Sequence, residues 1–294
     1  MRIVLILLFS FCFCNTQAQE IDRQVIAAAG ETLSNSDIML DFTVGELAVS
    51  TLDGATLTLN QGFHQNVISL TLSAEVIMFL EGAAFDAATG EEDLMRDTLR
   101  AVGVIPTTSP YTEDEATTTT AVFDVTGDDA IVDWVLVQLR DGTDSSIVLE
   151  SKSGLLQRDG DVVGVDGVTP LEFSEVTAGD YFVSVNHRNH LGIVSANPIT
   201  LGTETGNVVD FTQTELFVEG GIIAVTLLTN GNYALVGGDE DQNGQIVLFD
   251  LNNVRSQLGL SGYNNADIDL NSQIVLTDIN LFVNQNIGRG SQID

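Results

Sequence analysis

The sequence predicts a mainly β protein: β-sandwich modules followed by a small α module built from a duplicated calcium loop-helix unit. Three observations point there. Short apolar runs recur about every ten residues with turn residues between them. Helical periodicity is nearly absent before residue 237. A twelve-residue acidic stretch occurs twice near the C-terminus. The 294 residues set a prior of two domains. Ten Lys and Arg stand against forty-two Asp and Glu, a formal net charge of -32. That charge argues against nucleic acid, which needs a basic footprint, and against an anionic membrane surface. Only 18% of residues are charged and 44% are hydrophobic, enough apolar material to build cores.

The first element is a leader. Met1 and Arg2 precede the apolar run Ile3 to Cys14, too short to cross a bilayer, which needs about 20 residues. Thr16-Gln17-Ala18 supplies the small residues of a cleavage site, so residues 1–18 read as a secretory signal peptide cut after Ala18. Both cysteines, Cys12 and Cys14, leave with it, and bulky neighbours argue against a lipid anchor on either. The expected location is secreted or cell-surface, without thiol chemistry.

Residues 19–66 read as a small β repeat, with strands over Ile38 to Val44 and Leu57 to Leu59. Residues 67–200 read as a β-sandwich domain. Ile131 to Arg140 is its strongest strand, closed by Asp141-Gly142, and Tyr181 to Val185 is another. Asp159-Gly160 and Asp166-Gly167 are hairpin-type turns. One helix is expected at Asp93 to Val102, with Leu94, Thr98, Leu99 and Val102 on one face. Pro106 to Thr120 reads as a solvated polar loop. Residues 201–236 read as a linker with short strands, Gly220 to Leu228 being a buried one.

Residues 237–294 carry the densest signal. Asp239 to Asp250 and Asp267 to Asp278 are identical at eight of twelve positions and start 28 residues apart. Oxygen side chains fall at positions 1, 3, 5 and 12 of each: Asp239, Asp241, Asn243 and Asp250, then Asp267, Asp269, Asn271 and Asp278. This is the spacing of an EF-hand-type calcium loop, in which a hard cation collects six to eight oxygens. Position 7, Gln245 and Gln273, offers a backbone carbonyl; position 8, Ile246 and Ile274, is expected to pack the loops together. Two calcium ions are the expected cofactor. Asp at position 12 is one methylene shorter than the usual bidentate Glu. Position 6 must turn sharply, easy for Gly244 but costly for Ser272, so the second site is expected to be the weaker. A short helix follows each loop, with Leu251, Val254 and Leu258 on one face of the first and Ile279, Phe282 and Val283 on one face of the second.

A duplicated loop-then-helix unit with no helix before it resembles the dockerin type I module over Gly237 to Ile287. The resemblance implies a small calcium-dependent fold whose loop positions 10 and 11 help recognise a cohesin partner. Here those positions are Leu248-Phe249 and Leu276-Thr277 rather than a hydroxyl-rich pair. Asp41-Phe42-Thr43-Val44-Gly45-Glu46, Leu59-Asn60-Gln61-Gly62-Phe63, His187-Arg188-Asn189-His190-Leu191 and the ending Asn286 to Gln292 also resemble modules of large exported Bacteroidetes proteins. That resemblance implies a lineage and an architecture, not an activity.

Enzyme signatures are weak. No nucleophile elbow and no phosphate-cradling glycine loop with lysine is present. His187 and His190 have metal-ligand spacing, with Asp180 as a third candidate, which keeps a metal-dependent hydrolase as an alternative. The plainer reading is a turn locked by hydrogen bonds, with Asp133 or Asp159 as partner. Trp134 in an apolar strand reads as a core anchor; a glycan-stacking role keeps a carbohydrate- or surface-binding adhesin as another alternative. The leading expectation is a secreted, non-enzymatic, calcium-binding protein with a structural or interaction role, its partner a cohesin-like protein or a glycan.

Overall fold

The computed structural model describes residues 29–34, 39–44, 51–53, 58–60, 71–85, 90–202, 206–291 and 293. The expected leader, 1–18, lies outside them. Residues Met1–Ile68 and Ser69–Asp294 are separate units. The first contains two antiparallel pairs, β1 (Ala29–Ser34) with β2 (Met39–Val44) and β3 (Thr51–Asp53) with β4 (Thr58–Asn60).

The second unit is mainly β and antiparallel, as expected, with nine strands joined in one network. In chain order these are β5 (Leu72–Ile77), β6 (Ile131–Asp141), β7 (Asp144–Gln157), β8 (Asp161–Val163), β9 (Leu171–Phe173), β10 (Gly179–His187), β11 (His190–Val194), β12 (Ile199–Leu201) and β13 (Val208–Asp210). The path runs β11-β10-β6-β7-β8-β5-β13, with β12 also on β10 and β9 also on β5. Only β13 is parallel to its neighbour. Strand β13 falls within the stretch read as a linker with short strands and lies at the edge of the path. A further pair, β14 (Val225–Leu227) with β15 (Tyr233–Leu235), follows.

Ile131 to Arg140 of β6 is buried on both faces, which is why it reads as a continuous apolar run rather than an alternating one. Trp134 is completely buried, and its indole N–H donates to the Pro106 carbonyl at 2.8 Å. It is a core anchor, so stacking a glycan on it is ruled out. The Pro106 to Thr120 loop is not simply solvated: Ser109 and Tyr111 are buried, and the Ser109 hydroxyl meets that of Ser153 at 2.7 Å.

Three other expectations are corrected. The helix over Asp93 to Val102 is the single turn α2 (Thr98–Ala101), the second after α1 (Glu81–Ala84). Leu99 and Met95 are buried while Val102 is exposed, because four residues present no continuous face. Gly220 to Leu228 is not one strand: Gly221–Ile223 forms a 3₁₀ turn that exposes Ile222 and Ile223. Leu258 lies beyond the end of α3 (Leu248–Ser256) and is exposed, whereas Leu251 and Val254 are buried. The second loop is followed by a π-type turn, Asp278–Val283, continuing into α4 (Asn284–Asn286). Ile279, Phe282 and Val283 are buried there as expected. Among the described residues no helix is long and apolar enough to cross a membrane.

Candidate metal centre

Each acidic loop is closed by its own carboxylates, in nearly the same pattern at an offset of 28 residues. Position 1 accepts twice: Asp239 from the Asn243 and Gly244 amides (3.1 and 3.0 Å), Asp267 from those of Asn271 and Ser272 (3.1 and 2.8 Å). Position 12 accepts from the matching amides in both loops: Asp250 from Glu240 and Val247 (3.0 and 2.8 Å), Asp278 from Ile268 and Val275 (both 2.8 Å), with a third bond to Asp278 from Asp269 (3.2 Å). The bonds from Val247 and Val275 satisfy an amide at the start of the following helical segment, so the position-12 carboxylate fixes both the loop and the helix entry. The position-5 side chains, Asn243 and Asn271, donate to Asp241 and Asp269 (2.9 and 2.8 Å).

The turns require left-handed backbone. Gly244 and Ser272 at position 6 have φ of 79° and 69°. Sequence reasoning anticipated these but missed position 4, where Gln242 and Leu270 are also left-handed (58° and 57°). Neither residue type advertises that conformation.

As a result, carboxylate oxygens of Asp239, Asp241 and Asp250 lie within 4.8 Å of one another, and so do those of Asp267, Asp269 and Asp278. Five of the six side chains are buried; Asp241 is exposed. Burial pushes the Asp239 carboxyl up to about 7, partly offset by the Gly244 amide and reinforced by Asp250. Asp267, Asp269, Asp250 and Asp278 are pushed upward as well, first by burial. Clustered, buried oxygen donors with no nitrogen or sulfur among them suit a hard divalent cation such as calcium. Asn243 and Asn271 sit beside the carboxylates and can add a side-chain oxygen; Gln245 and Gln273 bring the position-7 backbone.

Ile246 and Ile274 are both fully buried in one cluster with Leu191, Val236, Ile268 and Phe282. The loops are not bridged to each other, however. Gln245 pairs with Gly290, and Gln273 with Ser261.

The repeat is seated on the β network through the β10–β11 hairpin. His187 and His190 face each other across the turn, Nδ1 to Nδ1 at 3.1 Å. His190 Nε2 accepts the Gly82 amide (3.1 Å), so the neutral ring carries its proton on Nδ1, directed to Asn189 Oδ1 (2.8 Å). His187 Nε2 meets Asp133 Oδ2 at 3.2 Å. All four ring nitrogens are engaged, and burial lowers both imidazole pKa values. Asp180 is not a third ligand, since it accepts from Thr200 on β12, nor is Asp159 the partner. Asp133 is: Arg188 Nε donates to it at 2.8 Å and Tyr263 OH at 2.7 Å. Arg188 also lies 4.3 Å above the Tyr263 ring and donates to the Asn264 carbonyl, while Asn189 donates to the Asn265 and Asp267 carbonyls.

On the other side, α1 meets the second loop. A Cβ on Gly82 would fall 1.9 Å from the Ile268 carbonyl oxygen, so only glycine permits that approach. Glu81 accepts from the Gly237 amide (2.9 Å) and from Asn286 (2.8 Å). Arg96, which nothing in the sequence singled out, lies 3.3 Å from Asp269.

No family model matches the sequence, and no curated protein matches it. Among solved structures, a chain from a type II Cohesin-X-Dockerin complex of Acetivibrio cellulolyticus, a C-terminal interface mutant, is 14% identical with a TM-score of 0.38, covering 74% of this chain and 97% of that one. A chain from the corresponding N-terminal interface mutant is also 14% identical, with a TM-score of 0.33 and coverage of 75% and 95%.

Proposed function

We propose that this chain is a secreted, non-enzymatic, modular protein that binds two calcium ions through Asp239, Asp241, Asn243, Gln245 and Asp250, and through Asp267, Asp269, Asn271, Gln273 and Asp278. The observation that carries the reading is the paired carboxylate triads, each drawn within 4.8 Å. Three converging carboxylates repel one another without a cation, and a divalent ion relieves that repulsion. Its role is structural or interactive, at or outside the cell surface. Leu248 and Phe249 at loop positions 10 and 11, with Leu276 at position 10 of the second loop, are strongly exposed apolar residues beside the helix starts. Such residues favour a protein partner, a cohesin-like one if the dockerin resemblance extends to recognition. A hydrolase centred on His187 and His190 is disfavoured, because those imidazoles spend every nitrogen on internal bonds.

Calorimetric calcium titration of the chelator-stripped mature chain tests the reading. Two saturable sites are expected, with Asp239→Ala and Asp267→Ala each removing one. Absence of saturable binding, or variants that keep both sites, would sink it.

A further inference from the structure

The two loops share most of their internal bonds but not their surroundings. Asp269 is almost wholly buried, and Arg96 Nη1 approaches its Oδ2 at 3.3 Å. Arg96 is held in place from behind: its amide donates to the Ala83 carbonyl (2.8 Å) and its Nη2 to the Phe85 carbonyl (2.8 Å). Among the described residues, no ion pair reaches Asp239, Asp241 or Asp250. In a chain with only ten Lys and Arg against forty-two acids, a cation fixed on one of two equivalent loops is a marked asymmetry.

We propose that Arg96 is a resident counter-ion of the second loop and sets its calcium affinity. This rests on the calcium reading above. The guanidinium balances one carboxylate when metal is scarce, so the second loop stays closed without an ion. Calcium arriving there meets a fixed positive charge nearby, and either displaces it or binds against its repulsion. The first loop has no such stand-in, and calcium is what relieves the repulsion among its carboxylates. The two sites therefore fill at different calcium concentrations, and Arg96, which is ion-paired to a loop carboxylate, widens that gap beyond the field that Arg188 casts on Asp267. This cause is distinct from the left-handed Ser272 and acts on affinity through charge.

The test uses the mature chain carrying Asp239→Ala, which leaves the second site alone for calorimetry. Adding Arg96→Gln is expected to tighten calcium binding on the order of tenfold, the effect of removing a unit charge several ångströms from a divalent ion. Adding Arg96→Lys instead keeps the charge and leaves the affinity close to that of the parent. In chelator, hydrogen exchange of the otherwise unaltered chain should find the Asn271 and Ser272 amides better protected than those of Asn243 and Gly244, and Arg96→Gln should abolish that difference. Unchanged or weaker binding in Arg96→Gln overturns the counter-ion role while leaving the calcium sites standing. Equal tightening in Arg96→Gln and Arg96→Lys assigns the effect to packing and overturns it too. No saturable binding in any variant removes the calcium reading itself, and Arg96 as its modulator with it.

Discussion

Single residues explain much of the chemistry here, and the loop carboxylates most of all. Asp239 is pushed up to about 7 by burial. In the ion-free fold it holds a proton that the unfolded chain, titrating near 3.8, has already lost. Stability from this group is therefore greatest at low pH and falls as pH rises from about 4 to 7. The buried histidines act oppositely: their lowered values mean that protons bound by the unfolded chain below about 6.5 weaken the fold as pH drops. Calcium requires the ionised carboxylate. Lowering the pH from 8 to 6 should weaken binding at the first site by about tenfold with release of a proton, measured by titration in buffers of different ionisation enthalpy. An affinity flat across that range would contradict the upward shift. Residue identity alone pointed to the proposed ligand set, because positions 1, 3, 5 and 12 of such a loop need oxygen side chains. It could not reveal Arg96, since an arginine 173 residues before its partner carries no mark of the pairing.

At the level of elements, strand β6 was legible because an unbroken apolar run ending in Asp-Gly has few other interpretations. Its partner β7 was hidden. The stretch Glu150-Ser151-Lys152-Ser153 is polar in sequence, yet Glu150 and Ser153 are buried because other segments complete their hydrogen bonds: Glu150 accepts from the Ser174 and Glu175 amides, and the Ser153 amide donates to Asp114. The helix expected at Asp93 to Val102 failed for the complementary reason. Tertiary contacts of Met95 and Leu99 satisfy the segment without a second turn. The second acidic loop keeps a serine in the left-handed region, at 69°. Its amide already donates to Asp267, a bond that glycine retains. Ser272→Gly should therefore stabilise the second loop by about 1 kcal/mol, read as a higher melting temperature in chelator. A lower one would mean that the serine side chain contributes something its backbone strain conceals.

For the whole molecule, the decisive surface is the seam where the repeat sits on the β network, within the single compact unit Ser69–Asp294. The sequence offered a boundary at residue 237 but no sign of how firmly it is crossed. The contacts span 78 residues for Asn189 to Asp267 and 130 for Asp133 to Tyr263. Asp133 is the centre of the seam. Arg188, His187 and Tyr263 all converge on it, and although burial opposes its charge, Arg188 first and then His187 hold its carboxyl well below the usual range. Asp133→Ala would leave the buried Arg188 guanidinium without its anion, at a cost of about 3–5 kcal/mol. Urea unfolding of the mature chain should register that loss; a cost below about 1 kcal/mol, the worth of an exposed pair, would mean that water reaches the seam.

The bond between Glu81 and Asn286 joins positions 205 residues apart. Close by, the Ser291 amide donates to the Gly244 carbonyl of the first loop, and its hydroxyl to the Gly192 carbonyl of β11. One of the earliest helical turns of this unit is thus tied by residues synthesised 205 positions later. The strands can pair as they emerge, but the seam must wait until Asn286 and Ser291 have been made. Such distant closure is entropically slow. Between the synthesis of Asp210 and that of the repeat, the nascent unit carries all nine strands of its network with its acidic partner still to come.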